Sequence, residues 1–402
     1  MGSLDLPAQT SLEIPVELIF LGTGTSSCVP NIDCLTAPPG GKQCRTCLST
    51  LTPEGKRNIR RNTSMVARLR GRDGNKVTIV VDVGKSFQAS AVEWFPKYGL
   101  RRIDAVLITH AHADAMNGLD DLRAWTLNAA IQPHVDLYVS QATFVEIQRS
   151  FPYLVSKEFA SGGGDVPEFK WHIIDDRKPF EIQDTGIRIS PFAVHHGRIF
   201  STAPPPQFVP TPNANSPAST SPSTPRIPGS PVHQAISIPP SSLKSEVAPP
   251  VQPYLCFGYV INDCVTYISD VSHIPEDVWE FLQPWQNGHG GRSVPPVFIL
   301  DCLRPKPHTS HFGIGGSVAT ARRMGAKRTY LTGFGHEVTH DEYTRVCEWV
   351  GGKELPAAER SASEAKALGF IEGGKSIWVR PAFDGLRVTV NGDGDVKDEV
   401  YN

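Results

Sequence analysis

The chain has 402 residues, a formal net charge of −2 at pH 7, 40% hydrophobic residues and 8 cysteines. This length allows one large domain or two ordinary ones, with enough apolar residues for a sizeable core. The near-neutral charge excludes the strongly basic class of dedicated nucleic-acid binders. Eight cysteines in a chain of this length, four of them within 28–47, do not make a disulfide scaffold and favour a reducing compartment, cytoplasmic or nuclear.

Apolar segments bounded by glycine and polar residues predict strands, and helical segments lie between several of them. Because strands alternate with helices, we predict an α/β fold in layers. The predicted strands are 16–21, 77–81, 103–108, 135–139, 187–189, 257–261, 265–268, 297–300 and 328–331, and helices are predicted to begin at Gly118 and to run from Gly316 to Met324. No run of about 18 apolar residues is present, so no membrane partner is expected. The N-terminus lacks the pattern of a secretory signal.

One segment differs from the rest in composition. Residues 203–253 contain 15 of the 35 prolines, interleaved with Ser, Thr, Ala and Asn. Such a stretch buries too little apolar surface to offset its ordering entropy, so we predict a disordered Pro/Ser-rich insertion. Because the strand pattern resumes at Phe257, we expect a single domain over 1–402, with a core of about 16–385, that this insertion interrupts.

The strand ending at Ile108 runs directly into Thr-His-Ala-His-Ala-Asp, residues 109–114, with Gly118 shortly after. His110 and His112 on a tight turn can face the same side, and Asp114 adds an oxygen donor. Imidazole nitrogens and a carboxylate suit Zn, Fe or Mn. The alternative, two histidines satisfied within a core, is disfavoured by this context. The run therefore predicts a metal site.

The same run resembles the Thr-His-x-His-x-Asp-His-x-x-Gly signature of the metallo-β-lactamase superfamily. Matching features follow in order at 196–197, at Asp270 and at 331–332. Within the superfamily, the chain is similar to phosphoribosyl cyclic phosphate phosphodiesterases and the related tRNA 3′-processing endonucleases, with local matches at 21–26, 61–64, 301–304 and 308–311. The resemblance implies an αββα sandwich and a metal-dependent hydrolase.

The resemblance also implies a ligand set. The first metal would be bound by His110, His112 and His196, the second by Asp114, and Asp270 would bridge the two. His195 is the alternative to His196, which the family pattern of His followed by Gly favours. For His273, a surface or helix-cap role is expected.

Two positions depart from the family pattern. Ala115 and Gly333 stand where relatives have histidines that serve the second metal. We therefore expect the second site to be weakened, rebuilt or missing, and the first to bind zinc, with manganese as the alternative. His308 or His311 could fill the gap, and either could act as a general acid near the substrate phosphate.

A second set of ligands lies nearer the N-terminus. Cys34 and the Cys-x-x-Cys pair at Cys44 and Cys47 resemble a zinc knuckle, and the family's matching loop binds a structural zinc with a distant histidine, here His336. The Pro, Gly and Lys flanks disfavour a thioredoxin-like motif. The alternates to this set are Cys28 and His340.

We expect a metal-activated water to hydrolyse a small phosphodiester, cyclic ones included, with Asp114 orienting or deprotonating that water. The substrate class rests on the resemblance, because this fold serves many chemistries. Three alternatives stay open: a tRNA 3′-end endonuclease, a thioester hydrolase on the same site, and a degenerate binding module without catalysis. Nucleic acid is the less favoured partner because the insertion is not basic. The sequence does not set the oligomeric state.

Overall fold

The computed structural model describes residues 15–41, 43–162, 165–200, 252–282 and 294–401. Its strands are β1 Val16–Gly22, β2 Ser64–Arg70, β3 Lys76–Val81, β4 Ala105–Leu107, β5 Val135–Ser140, β6 Phe169–Ile174, β7 Phe180–Glu181, β8 Arg188–Arg198, β9 Pro253–Ile261, β10 Val265–Ile268, β11 Val297–Asp301, β12 Arg328–Thr332, β13 Val379–Pro381, β14 Arg387–Val390 and β15 Val396–Asp398. Its helices are α1 Ile32–Leu35, α2 Arg45–Ser49, α3 Phe87–Tyr98, α4 Ala113–Met116, α5 Arg123–Thr126, α6 Gln141–Ser150, α7 Pro152–Val155, α8 Glu276–Leu282, α9 Ile314–Met324, α10 His340–Val350 and α11 Ala362–Leu368.

The strands form two mixed sheets. One has eight strands in the order β15-β14-β1-β2-β3-β4-β5-β6, and the other has seven in the order β13-β12-β11-β10-β9-β8-β7. Strands β3 to β6 run parallel, as do β10 to β13, whereas β1, β2 and β3 pair antiparallel. The parallel strands bring their carboxyl ends to one edge of each sheet, where side chains for a site can converge.

The core explains the layering. One buried cluster joins the facing sides of the two sheets and contains Phe20 of β1 and Tyr267 of β10. A second packs the outer side of the eight-stranded sheet against α3, and a third packs the seven-stranded sheet against α8, α9 and α10. Because successive strand residues point to opposite faces, each sheet supplies both an inner and an outer apolar face. The result is the predicted αββα sandwich.

The chain divides into two compact units, residues 1–197 with 254–402, and residues 198–253. Most of the second unit, and with it most of the predicted disordered insertion at 203–253, lies outside the described residues. In its described part, the Ile199 backbone N–H donates to the Gln252 carbonyl at 2.8 Å. The two described chain ends on either side of the insertion are therefore hydrogen-bonded neighbours.

The nine predicted strands are all present, but two local predictions need correction. The strand predicted at 187–189 continues to Arg198 as β8, and the segment from Gly118 forms a 3₁₀ turn at Leu119–Leu122 before the single turn of α5. Within the described ranges, no helix combines the length and the apolar character that a bilayer crossing requires.

Candidate metal centre

The predicted histidines come together at the strand ends. His110 follows β4 and is buried, His112 caps α4 and is exposed, and His196 lies near the end of β8. Their ligand atoms all lie within 4.8 Å of one another. Nε2 of His196 is 3.1 Å from Nδ1 of His112. The structure therefore gathers three imidazoles from two elements far apart in the chain.

A carboxylate completes this cluster. Asp270, two residues past β10, places Oδ2 3.5 Å from Nε2 of His110 and 3.6 Å from Nε2 of His196. Burial opposes ionisation of this group, but His311 and the clustered histidines hold the pKa of Asp270 below its usual range. Three nitrogens and one carboxylate oxygen form the donor set of a zinc-type site.

Hydrogen bonds orient two of the rings toward this centre. Nδ1 of His196 lies 2.7 Å from the Ser310 carbonyl, so it carries the proton and leaves Nε2 to face the cluster. Nδ1 of His110 contacts the Thr109 hydroxyl at 2.8 Å, and that hydroxyl lies 2.9 Å from the buried carboxylate of Asp82. Such partners fix the ring orientation and tautomer of metal-binding histidines.

The side chains of this cluster are suited to bind a metal ion. Nε2 of His110 is fully buried, yet it has no hydrogen-bond partner among the described residues. Burial lowers the pKa of His110 to about 3. The ring of His112 is partly desolvated by its neighbours although the residue is exposed, and together with the charge of His196 this lowers its pKa to about 4, so both imidazoles are neutral, as metal ligands must be. An unpartnered lone pair aimed at other donor atoms is the arrangement that a bound cation satisfies.

Asp114 lies beside this centre but is not a member of any of the three possible ligand groups found in the described chain. Its position depends on close packing at Gly84, where a Cβ atom would lie 1.9 Å from the Asp114 carbonyl oxygen. Burial, reinforced by the charge of Asp270, raises the pKa of Asp114 to about 6. This carboxylate can therefore exchange a proton near neutral pH.

The two histidines proposed as general acids occupy different environments. His311 is half-buried; its ring centroid lies 4.7 Å from that of His196, and its Nδ1 lies 3.0 Å from Oδ2 of the buried Asp301. Burial alone would lower its pKa, but the charge of Asp301 raises the pKa of His311 to about 9. His308 is exposed on the cavity rim and contacts the Ser310 hydroxyl at 3.0 Å. The geometry thus distinguishes a paired His311 from an exposed His308.

The competing histidines lie elsewhere. On β8, His195 faces the opposite side from His196, and its ring pairs with that of His273 at 5.3 Å. The buried His340 bonds through Nε2 to the Tyr401 hydroxyl at 2.7 Å. The structure therefore brings His196 to the centre and leaves these other three histidines outside it.

The structure brings together the three cysteines and the histidine of the expected knuckle. Sγ of Cys34, Cys44 and Cys47 lie 3.2, 3.6 and 3.4 Å from Nδ1 of His336. All four ligand atoms lie within 4.8 Å of one another, which suits a tetrahedral ion. None of the eight cysteines, which all lie in the described ranges, is in a disulfide. The alternate Cys28 lines the neighbouring cavity and is not part of this group.

Three features of the site were not predicted. The buried Arg60 donates to the carbonyls of Gly335 and Val338 and so fixes the loop that carries His336. Tyr254 stacks on His112 with ring centroids 4.7 Å apart. The third is the contact chain from Asp82 to His110 described above. For the contacts of Asp82, the sequence signal was the apolar strand that ends there. The contacts of Arg60 and Tyr254 join residues more than 100 positions apart, so no local pattern predicts them.

Comparison with known proteins agrees with this geometry. A family model described as a beta-lactamase superfamily domain matches residues 78–213, which include the three clustered histidines. The chain has a metallo-β-lactamase fold. The fold expected from the sequence is thereby confirmed, and the superfamily that this model describes is one of metal-dependent hydrolases.

Two solved structures share this metallo-β-lactamase fold. A diphosphatase from the PhnP family has a TM-score of 0.56 and 23% identity, covering 92% of this chain and 96% of that one. Zn²⁺-bound PqqB from Methylobacterium extorquens has a TM-score of 0.53 and 15% identity, covering 92% and 99%. At these identities the likeness concerns the fold alone.

A curated protein is also similar over part of its length. It is an octanoyltransferase of Porphyromonas gingivalis (strain ATCC BAA-308 / W83), 30% identical over 183 residues. The match covers 45% of this chain and 31% of that protein. The chain thus matches less than a third of that relative.

Proposed function

We propose that this protein is a metal-dependent phosphodiesterase that hydrolyses a small phosphodiester. The observation that carries the proposal is the pairing of two features beside one cavity, which His112, His196 and His311 line. The buried, unpartnered Nε2 of His110 lies within the three-histidine cluster, and the Asp301–His311 pair adjoins that cluster. One feature suits a Lewis-acidic cation and the other suits proton donation.

His110, His112, His196 and Asp270 would hold the catalytic metal, which we propose to be zinc, with manganese as the alternative. A divalent ion bound there supplies Lewis acidity toward a phosphoryl oxygen and lowers the pKa of its bound water. Of these four ligands, His110, His196 and Asp270 are buried and enclosed by neighbouring side chains. They are therefore positioned before substrate arrives.

Asp114 orients the attacking water and accepts its proton. With a pKa of about 6, the carboxylate is mostly ionised at neutral pH yet still basic enough to take up a proton. Its place on the cavity wall beside His112 and His196 puts it on the same side as the ligand cluster.

His311 protonates the leaving oxygen. The neighbouring Asp301 keeps it in the imidazolium form at neutral pH, because the pKa of about 9 lies above the ambient pH. Its contact with Asp301 uses Nδ1, so Nε2–H is the proton available to a leaving group. His308, exposed on the rim, has no carboxylate partner in the described chain and is the weaker candidate for this role.

The donor sets also support a proposal on stoichiometry. The cysteine cluster would hold one structural zinc and the three-histidine cluster one catalytic ion. His311 lies near His196 and Asp270 and could rebuild a second catalytic position, but the charge of Asp301 raises its pKa to about 9, so at neutral pH the ring is protonated and offers no lone pair to a metal. We therefore propose two firmly held ions per chain.

Hydrolysis of bis(p-nitrophenyl) phosphate by metal-replete protein, and loss of that hydrolysis after chelation, tests the function. The chelated protein should recover when zinc or manganese is restored. Cleavage of thioesters with no cleavage of diesters would replace this proposal with the thioester alternative. Metal binding with no hydrolysis of either would favour a binding module.

A further inference from the structure

The side chain of Arg60 is buried without an ion-pair partner in the described chain. Only 1% of its surface is exposed. Its guanidinium group donates from Nη1 to the Gly335 carbonyl and from Nη2 to the Val338 carbonyl at 3.0 Å, and its Cζ lies 5.2 and 5.8 Å from the ring centroids of Phe334 and Tyr343. Carbonyls and rings carry no net charge. Because a buried charge without a charged partner is costly, we expect a counter-charge close to Arg60.

Four groups near the guanidinium could supply that counter-charge. Burial lowers the pKa of Arg60, and negative charge on Tyr343, Asp384, Cys302 or Cys47 opposes this change. Burial raises the pKa of Tyr343 and of Cys302 well above their usual values, so both are neutral near pH 7. Burial also raises the pKa of Asp384 to about 7, so this carboxyl group is only partly ionised. The remaining group is Cys47, which becomes a thiolate when it binds a metal ion.

Backbone and side-chain contacts place Arg60 against the cysteine cluster. Arg60 and Val29 exchange two backbone hydrogen bonds, at 2.9 and 2.8 Å, and Val29 packs with Cys34 and Cys47 in one small buried cluster. The two carbonyls that accept from the guanidinium lie on either side of His336 in the chain. Arg60 is thus tied both to the segment that carries the cysteines and to the loop that carries the histidine.

The charge of a metal-loaded cysteine cluster complements that of Arg60. Metal ligands bind in their deprotonated form, so a divalent ion held by three thiolates and one imidazole carries one net negative charge. Cys47 is fully buried, so water screens its charge little. Arg45 lies beside the ligands in the chain, but its side chain is 62% exposed and pairs with Glu342. Solvent weakens the effect of such an exposed charge.

We propose that Arg60 is a positioning residue whose buried positive charge balances the metal-loaded cysteine cluster and strengthens its hold on the ion. Because Asn31, His336 and Glu337 line the catalytic cavity, an ion held in this way also fixes one wall of that cavity. The inference takes from the proposed function only that the cysteine cluster binds a divalent ion.

Cobalt titration of the full-length protein measures this effect separately from hydrolysis. Thiolate-to-cobalt charge-transfer absorption reports the cysteine cluster alone, because the three-histidine cluster contains no thiolate. In competition with a chelator, Arg60→Met should bind Co²⁺ at the cysteine cluster about 10- to 100-fold more weakly than the wild type does. Arg60→Lys keeps the charge and loses the forked pair of donors, so it should keep most of the wild-type affinity.

A double-mutant cycle separates the charge of Arg60 from its contacts with the loop. In Cys44→His, two thiolates and two imidazoles hold the ion, so the loaded cluster is neutral. The loss of affinity caused by Arg60→Met should largely disappear in that background. A role limited to holding the loop of His336 would give the same loss in both backgrounds. Arg60→Gln, whose amide can donate to one of the two carbonyls, gives the same cycle should Arg60→Met not fold.

Arg45→Met is the matched control, because it removes an exposed arginine that lies between Cys44 and Cys47 in the chain. Its affinity for Co²⁺ should match that of the wild type. Thermal unfolding of each metal-loaded variant shows whether it folds.

Wild-type cobalt affinity in Arg60→Met would overturn the inference, and so would an equal loss in the two backgrounds of the cycle. A loss in Arg45→Met as large as that in Arg60→Met would overturn it as well. A wild type without thiolate-to-cobalt absorption would overturn both the inference and the proposed stoichiometry. Failure to hydrolyse bis(p-nitrophenyl) phosphate would overturn the proposed activity alone, because the titration would still decide the role of Arg60.

Discussion

Replacing Asp301 by Asn should move the alkaline limit of the pH–rate profile. Asp301 is fully buried, and its Oδ2 accepts from His311 while Oδ1 has no partner in the described chain. Asparagine can therefore place its carbonyl oxygen at Oδ2 and its NH₂ group at the unpartnered position. The substitution removes the charge and keeps the hydrogen bond.

The magnitude follows from the pKa of His311. Burial lowers this pKa and the charge of Asp301 raises it to about 9, so the variant's pKa should fall toward or below the ordinary value of 6.5. A general acid is active when protonated, so activity is present below its pKa and lost above it. At pH 8 the protonated fraction falls from roughly 0.9 to roughly 0.03, a loss of about 30-fold in rate.

The assay compares kcat/KM between pH 6 and 10 for two phosphodiesters with different leaving groups. A p-nitrophenolate leaves without a proton, so its release should depend weakly on His311, whereas an alkoxide should show the full effect. Asp136→Asn is the matched control, because Asp136 pairs with His172 at 2.7 Å away from the metal centre. Its profile should match the wild type.

An Asp301→Asn variant with the wild-type profile for the alkyl substrate and unchanged metal content would refute this reasoning. A uniform loss at every pH would show instead that Asp301 only positions the loop. Elemental analysis separates either result from loss of the catalytic ion.

Three further predictions concern metal content, the insertion and stability. Elemental analysis of protein purified without added metal should find two ions per chain. His112→Ala should retain only the ion of the cysteine cluster, which a thiol-reactive reagent releases. Three ions in the wild type would contradict the proposed stoichiometry. Replacing residues 201–251 with a short Gly/Ser turn should leave the melting temperature nearly unchanged, because the Ile199 N–H already bonds to the Gln252 carbonyl; insoluble protein would count against this. Burial raises the pKa of Asp384 to about 7 in the folded state, so this group costs the wild type stability as pH rises from about 4 to 7. Over that range the free energy of unfolding of Asp384→Asn, measured by chemical denaturation, should rise relative to wild type by up to about 4 kcal/mol. A difference that stays constant with pH would disprove the shift.

Much of the fold followed from local patterns. The strands β1, β3 and β11 are recognisable from sequence because most of their residues are buried on both faces and are therefore apolar. β2 was missed because Arg68 and Arg70 interrupt its apolar pattern. Arg68 is nevertheless accommodated in the sheet by an ion pair with Glu17 on β1, which a single segment cannot reveal.

The site was predictable where its residues follow one motif. The spacing of His110 and His112 locates the centre, and resemblance to the superfamily supplied the position of His196. The choice between His308 and His311 was not available from sequence, because it depends on which ring meets Asp301. Likewise, the unpartnered Nε2 of His110 is a property of packing, which no local pattern records.

The left-handed turn at Gly333 limits which residues this position can hold. A Cβ atom at this position would lie 2.5 Å from Oδ1 of Asp301, and its φ of +77° disfavours any side chain. The histidine that the superfamily resemblance implies at this position would therefore collide with the carboxylate that holds His311. A side chain at this position would require the backbone and Asp301 to shift together, so a single substitution of Gly333 does not by itself restore that ligand.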